Sequence, residues 1–209
     1  MTRPASSEAF RIGVLASGAG TTLQAVIDAC ERGAIPAKIA VVISNNSRSG
    51  AAGRAARHGI SLEHLSGQTH AEPAVLDAAI RDTLREHQVD LVLLAGYMKK
   101  IGPRTLEAFG GRMINTHPSL LPRHGGHGMY GGRVHQAVLE QGDEVTGISV
   151  HLVDGEYDTG RVLAQAEVPV EAGDDAAALA ARVQAREREF VVEVIDRIAR
   201  GEIELAARA

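Results

Sequence analysis

Asn115 and His117 stand two residues apart at the end of the apolar pair Met113-Ile114, and Pro118 follows directly. On an extended chain that spacing puts the amide and the imidazole on one face, so both can reach a single atom. Pro118 fixes its own φ and biases His117 toward extended backbone, which narrows the range of the imidazole. In a parallel sheet such a strand end opens on a crevice where ligands collect, and two preorganised donors there suit a reaction that builds negative charge on oxygen. A polar strand end before a proline-rich turn also serves plain chain reversal, so the pair is a candidate only.

Two further stretches could join it. Ser17-Gly18-Ala19-Gly20-Thr21-Thr22 links an apolar strand to a helical pattern, and the free N–H groups of a helix start attract anions. Leu23 takes the place of the third glycine of a dinucleotide fingerprint and no Lys follows, so a single phosphate fits better than NAD or ATP. A simple tight turn is the competing reading. The acidic stretch Asp154-Gly155-Glu156-Tyr157-Asp158-Thr159-Gly160 reads as a solvated hairpin connection. If it folds back over His117, it supplies a carboxylate that raises the imidazole pKa and keeps the ring a charged donor. His124, His127 and His135 fit no standard metal-ligand spacing, and no metal is expected.

Positioning these groups requires alternating strands and helices. Apolar and β-branched runs predict strands at 11–16, 38–43, 61–65, 89–95 and about 113–117. Helical patterns fall at about 23–32, 51–58, 73–87, 103–109 and 134–140, with Gly59 as a C-cap and Pro73 near a helix start. The nearly unbroken apolar run at 89–95 should be central to the sheet. Two late runs, 147–153 and 161–170, are too closely joined for a helical crossover and predict antiparallel strands. A long helix at about 175–200, with Asp174 as N-cap and Gly201 past its end, closes the pattern. The expected fold is α/β: a Rossmann-like, mostly parallel sheet flanked by helices, with late antiparallel strands and a long C-terminal helix. Residues 1–9 read as a disordered lead and 10–209 as a single domain.

With 209 residues, net charge −4 and dispersed basic residues, the chain has no electrostatic footprint for nucleic acid or an anionic membrane surface. Small molecules are the expected partners, and the chain a monomer or homodimer. Trp is absent and aromatics are few, so the core rests on Ala, Val, Leu and Ile. The single Cys30 excludes an internal disulfide, reads as a small buried hydrophobe, and fits a cytoplasmic setting.

Several separated motifs resemble the folate-dependent formyltransferases. They are Ser17-Gly18-x-Gly20, Leu94-Ala95-Gly96-Tyr97-Met98, Asn115-x-His117-Pro118-Ser119-Leu120-Leu121-Pro122, Gly147-Ile148-Ser149-Val150-His151, Asp158-Thr159-Gly160, and Ala181-Arg182-Val183-Gln184 with Glu187. Within that family the resemblance is to the branch that formylates glycinamide ribonucleotide in de novo purine synthesis. It implies 10-formyltetrahydrofolate as co-substrate and Asn115, His117 and Asp158 as the catalytic trio, with Asp158 tuning the imidazole. It implies substrate phosphate at Gly20, Thr21 and Thr22, and the ribose and glycinamide portion at Gln184, Ala185, Arg186 and Glu187. It also implies folate at Met98, Lys99, Lys100 and Ile101, at Asn115, and at Asp154, Gly155, Glu156, Tyr157 and Asp158.

The chain departs from the family pattern in places. Where many members carry a short Pro-Gly-Leu-His turn, residues 123–132 are longer and glycine-rich, with His127 and Tyr130 as candidates to cap the pocket. No Arg precedes Pro73, only His70, Ala71 and Glu72, and Thr22 stands where Asn is frequent. His151 reads equally as structural or functional. A formyltetrahydrofolate hydrolase and a non-catalytic folate- or phosphate-binding module are the rival assignments.

Overall fold

A computed structural model describes residues 9–207; all of the expected N-terminal lead but Ala9 lies outside them. The elements run Phe10–Ala16 (β1), Thr21–Glu31 (α1), Ala37–Ser44 (β2), Gly50–Arg57 (α2), Leu62–His64 (β3), Pro73–Glu86 (α3), Leu91–Leu94 (β4), Pro103–Phe109 (α4), Met113–His117 (β5), Gly132–Glu140 (α5), Val145–Leu152 (β6), Val162–Pro169 (β7) and Ala176–Ala199 (α6). The strands form one seven-stranded sheet in the order β3-β2-β1-β4-β5-β6-β7. β1 to β5 pair in parallel, β6 and β7 antiparallel. β4 is therefore central, and all four of its residues are buried, as its apolar run predicts.

Strand alternation sorts the core into two layers. Leu91, Leu93 and Ile114 pack with apolar residues of α1 and α6, including Leu23, Val183 and Val191. Val92, Leu94 and Met113 face the opposite layer, with Ile80 and Leu84 of α3 and Phe109 of α4. Each such fully buried side chain is worth roughly 1.5–3 kcal/mol relative to exposure. On β5 the alternation continues past the core. Asn115 and His117 follow Met113 toward the α3 and α4 side, and Thr116 follows Ile114 toward α1 and α6.

Local chemistry sets the boundaries near the site. The left-handed Gly20 (φ 72°) lets α1 begin at Thr21, two residues before the hydrophobic pattern does. The Asp77 carboxylate of α3 accepts the backbone N–H groups of Arg104 and Thr105 at 2.8 and 3.0 Å. It thus supplies the cap that α4 lacks locally and anchors the loop after β4. At α6 the N-cap is Asp175, accepting from the N–H of Ala178, and not Asp174. Asp174 is instead held by the guanidinium of Arg182. Strand β6 supplies Ser149, whose hydroxyl donates to the Ser119 carbonyl and accepts the Leu121 N–H. These bonds pin the turn after β5, in which the Leu121–Pro122 bond is cis.

Candidate active site

The β1–α1 loop is stitched to its surroundings by three hydrogen bonds, one from the loop after β4 and two from α2. Ser17 Oγ accepts the Met98 N–H at 2.9 Å, the Gly18 carbonyl accepts the Ala51 N–H at 3.1 Å, and the Ala19 carbonyl accepts from Arg54 Nε at 3.0 Å. A Cβ on Gly20 would stand 2.7 Å from the Ala51 backbone, so only glycine fits. No side chain caps α1 and its first turn holds no acid, which leaves the N–H groups of this turn and the positive helix end to an anion.

Antiparallel pairing sets Asn115 opposite His151 and His117 opposite Ser149. His151 Nδ1–H donates to the Leu152 carbonyl at 2.9 Å. Its Nε2 lies within ion-pair distance of Asp158 and 3.1 Å from the Asn115 amide nitrogen. This contact orients the amide. His151, left open between structure and function in the sequence, is 3% exposed and sits against both Asn115 and Asp158. Its period-2 spacing from Ser149 on β6 is the signal that points it at the same face as Asn115.

Leu152 pairs with Ile114, so the chain leaves β6 beside the start of β5. Residues 153–161 must then fold back along the sheet face to bring Asp158 onto His117. They do so: Asp158 Oδ2 lies 3.3 Å from His117 Nδ1, and Oδ1 lies 3.5 Å from His151 Nε2. Asp158 also accepts the Gly126 N–H at 2.9 Å and holds a left-handed backbone (φ 57°), rare for a residue with a side chain. The divergent loop 123–132 is thereby drawn into the site. Gly125 permits the approach, since a Cβ there would run into the Leu121 side chain. His117 Nε2–H donates to the His124 carbonyl at 2.8 Å, and the His124 ring pairs with Asp143.

The electrostatics correct one expectation. Burial is the largest influence on His117 and lowers its pKa; Asp158 and the His124 carbonyl act in the opposite direction without overturning it. The rise expected from an adjacent carboxylate is therefore not the net result, although both ring nitrogens face acceptors, Nδ1 the Asp158 carboxylate and Nε2 the His124 carbonyl. Burial works to raise Asp158, but His151, the charge of His117 and the Gly126 N–H together hold it below the ordinary carboxylate value.

The two segments read as folate-binding meet each other. Lys100 Nζ pairs with Glu156 at 3.3 Å and lies 5.8 Å from the Tyr157 ring centre. Ile101 is buried against the α3 and α4 layer, and Met98 and Tyr157 are exposed. The Met98 N–H is given to the Ser17 hydroxyl. Asp154 closes its own turn by accepting from the Glu156 N–H and the Thr159 hydroxyl, with Gly155 between them. Lys99 and Lys100 also line a cavity of about 940 Å³ with Arg48, Gln68, Tyr97 and Arg104; the trio does not line it. Of the capping candidates, His127 packs edge-on against Tyr157, whereas Tyr130 is exposed beside Arg133.

Helix α6 sends one of its four expected residues into the site. Glu187 Oε1 accepts the Thr116 hydroxyl at 2.6 Å and that of Thr22 at 3.4 Å. Arg186 instead grips Glu193 along the helix, and Gln184 and Ala185 are exposed. Burial raises the Glu187 pKa, opposed by the two threonine hydroxyls.

A formyl transferase family model matches residues 10–195. The chain belongs to the formyl transferase family. It is 42% identical over 187 residues to the chloroplastic phosphoribosylglycinamide formyltransferase of Vigna unguiculata, covering 89% of this chain but only 60% of the plant protein. It is 39% identical to the Haemophilus influenzae phosphoribosylglycinamide formyltransferase, over 93% of this chain and 90% of that one. The crystal structure of glycinamide ribonucleotide transformylase 1 from Symbiobacterium toebii superposes with a TM-score of 0.87 at 39% identity, over 96% of this chain and 92% of the other. Among the described residues, no helix is long and apolar enough to cross a membrane.

Proposed function

We propose that this family member transfers the formyl group of 10-formyltetrahydrofolate to the amine of glycinamide ribonucleotide, a step of purine synthesis. The observation that carries this reading is the convergence of Asn115, His117 and Asp158 from a strand and a distant loop, with the Asp158–His117 contact at 3.3 Å. The anion-ready start of α1 and the Glu187 carboxylate lie around the end of the same strand. Gly20, Thr21 and Thr22 take the phosphate, Glu187 the ribose and glycinamide end, and the facing segments 98–101 and 154–158 the folate.

Bound formyl-folate supplies the formyl carbon; the protein's residues hold and stabilise. When the amine attacks, negative charge grows on the formyl oxygen, and the Asn115 amide and the His117 N–H donate to it more strongly than to the planar carbonyl. The His117 donor leaves the His124 carbonyl for this stronger, charged acceptor. Asp158, facing Nδ1, holds the ring in place and balances positive charge on it. A proton passes from the attacking nitrogen to the leaving one.

The test is a spectroscopic formyl-transfer assay with 10-formyltetrahydrofolate, run with and without glycinamide ribonucleotide. Folate release only with the amine present establishes the transfer. Release without it would replace this reading by a hydrolase, and binding without release by a non-catalytic module.

A further inference from the structure

Asn115-Thr116-His117 carries a residue that the catalytic reading does not use. Thr116 points away from Asn115 and His117, toward α1 and α6, and its hydroxyl makes a 2.6 Å bond to Glu187 Oε1. Thr22, second residue of α1 and part of the phosphate loop, reaches the same oxygen at 3.4 Å. Both hydroxyls converge on Oε1, and among the described residues no hydrogen bond engages Oε2. The carboxylate is therefore locked by one oxygen and presents the other. A Glu side chain without such a lock samples several rotamers and must be ordered each time a ligand binds.

We propose that Thr116 is a positioning residue for recognition of the amine substrate: it aims Glu187 so that Oε2 accepts hydrogen bonds from the sugar hydroxyls or amine of a phosphorylated sugar derivative. The ligand class follows from the neighbours. Thr22 ties the carboxylate to within a side chain's length of the N–H groups at the start of α1, so one molecule with a phosphate at one end and hydroxyl or amine donors further along would meet both. The assignment rests on the acceptor side of the function proposed above and adds the residue that sets its geometry. It also gives a reason for a threonine in the middle of the motif: an apolar residue there would leave the buried Glu187 carboxylate one charge-assisted donor short.

The experiment compares wild type, Thr116→Val and Thr116→Ser in the formyl-transfer assay, varying glycinamide ribonucleotide and formyl-folate separately. Thr116→Val keeps shape and removes the donor. It should raise the KM for glycinamide ribonucleotide about tenfold and leave kcat and the folate KM within about twofold; Thr116→Ser should restore the wild-type value. The pH profile supplies a readout that loss of packing would not move. Glu187 is faced by Thr22 from α1 and Thr116 from β5, and the charge acting on it is Arg188 of its own helix. Removing the Thr116 donor should shift the acid limb of kcat/KM for the amine to higher pH.

An active wild type with unchanged amine KM in Thr116→Val overturns this inference and leaves the function standing. Equal damage to both substrates without rescue by Thr116→Ser overturns it in favour of a packing role. An inactive wild type would overturn the proposed function, and this inference with it.

Discussion

The Nε2–H of His117 is donated to the carbonyl of His124 at 2.8 Å. That carbonyl belongs to a residue in left-handed conformation (φ 54°) whose ring is fixed by Asp143 at 2.7 Å, with Arg123 also on the carboxylate. This bond holds one edge of the ring, so under the proposed function the position of the carbonyl sets where the imidazole waits. Asp143→Ala frees the His124 ring and lets the carbonyl drift. We expect kcat to fall about three- to tenfold, with substrate KM values nearly unchanged. Steady-state kinetics beside a thermal melt decides it; undiminished kcat would uncouple the Asp143 clamp from imidazole alignment.

The trio can be dissected in the same assay. Asn115→Ala and His117→Ala each remove a donor to the developing oxyanion, and each should lower kcat on the order of a hundredfold or more. Asp158→Asn removes the charge opposite His117 and should cost kcat comparably while sparing KM. Full activity in any one variant would take that residue out of the mechanism.

Acid stability follows from two buried rings. Burial lowers the pKa of both His117 and His135, and His135 Nδ1 has no hydrogen-bond partner among the described residues. Below about pH 6.5 the unfolded chain takes up protons that the folded chain resists. The stability contributed by these buried rings is whole above that pH and declines as pH falls below it. Calorimetric Tm should therefore drop from about pH 7.5 to 5.5, and His135→Leu should flatten the slope. An equal slope in the variant would assign the acid loss to other groups.

Gly20→Ala tests the phosphate loop. The left-handed φ and the Ala51 backbone at 2.7 Å both oppose a Cβ. A stability loss of about 1–3 kcal/mol is expected. The KM for the phosphorylated substrate should also rise several-fold, because the loop must shift to make room. Chemical denaturation and kinetics together check it, and a variant with wild-type values would show the loop to be more adaptable than its packing.

Much of this was legible before any coordinates, because the signals were local. The alternation at Asn115 and His117, the apolar run of β4 and the glycines before α1 each encode geometry within a few residues. What the sequence concealed depends on contacts across long separations. Nothing near Glu187 announces Thr116, 71 residues earlier, as its partner. The burial that turns the His117 pKa downward belongs to the assembled site, whereas the carboxylate beside it is visible as a motif. The bidentate bond of Arg186 to Glu193, two turns along the helix, was equally hidden, since the motif that carries Arg186 ends before its partner.

Strand β5 sends Thr116 to one side of the sheet and Asn115 and His117 to the other, so in the proposed function the sheet is a partition between the acceptor's compartment and the donor's. Under the proposed function the two substrates meet only around the end of this strand. Acceptor choice and formyl chemistry then become separable traits. Changes confined to α1, α6 and Thr116 could retune which amine is accepted while the folate side stays intact, which gives a lineage or an engineer a route to new acceptors that leaves the reaction itself untouched.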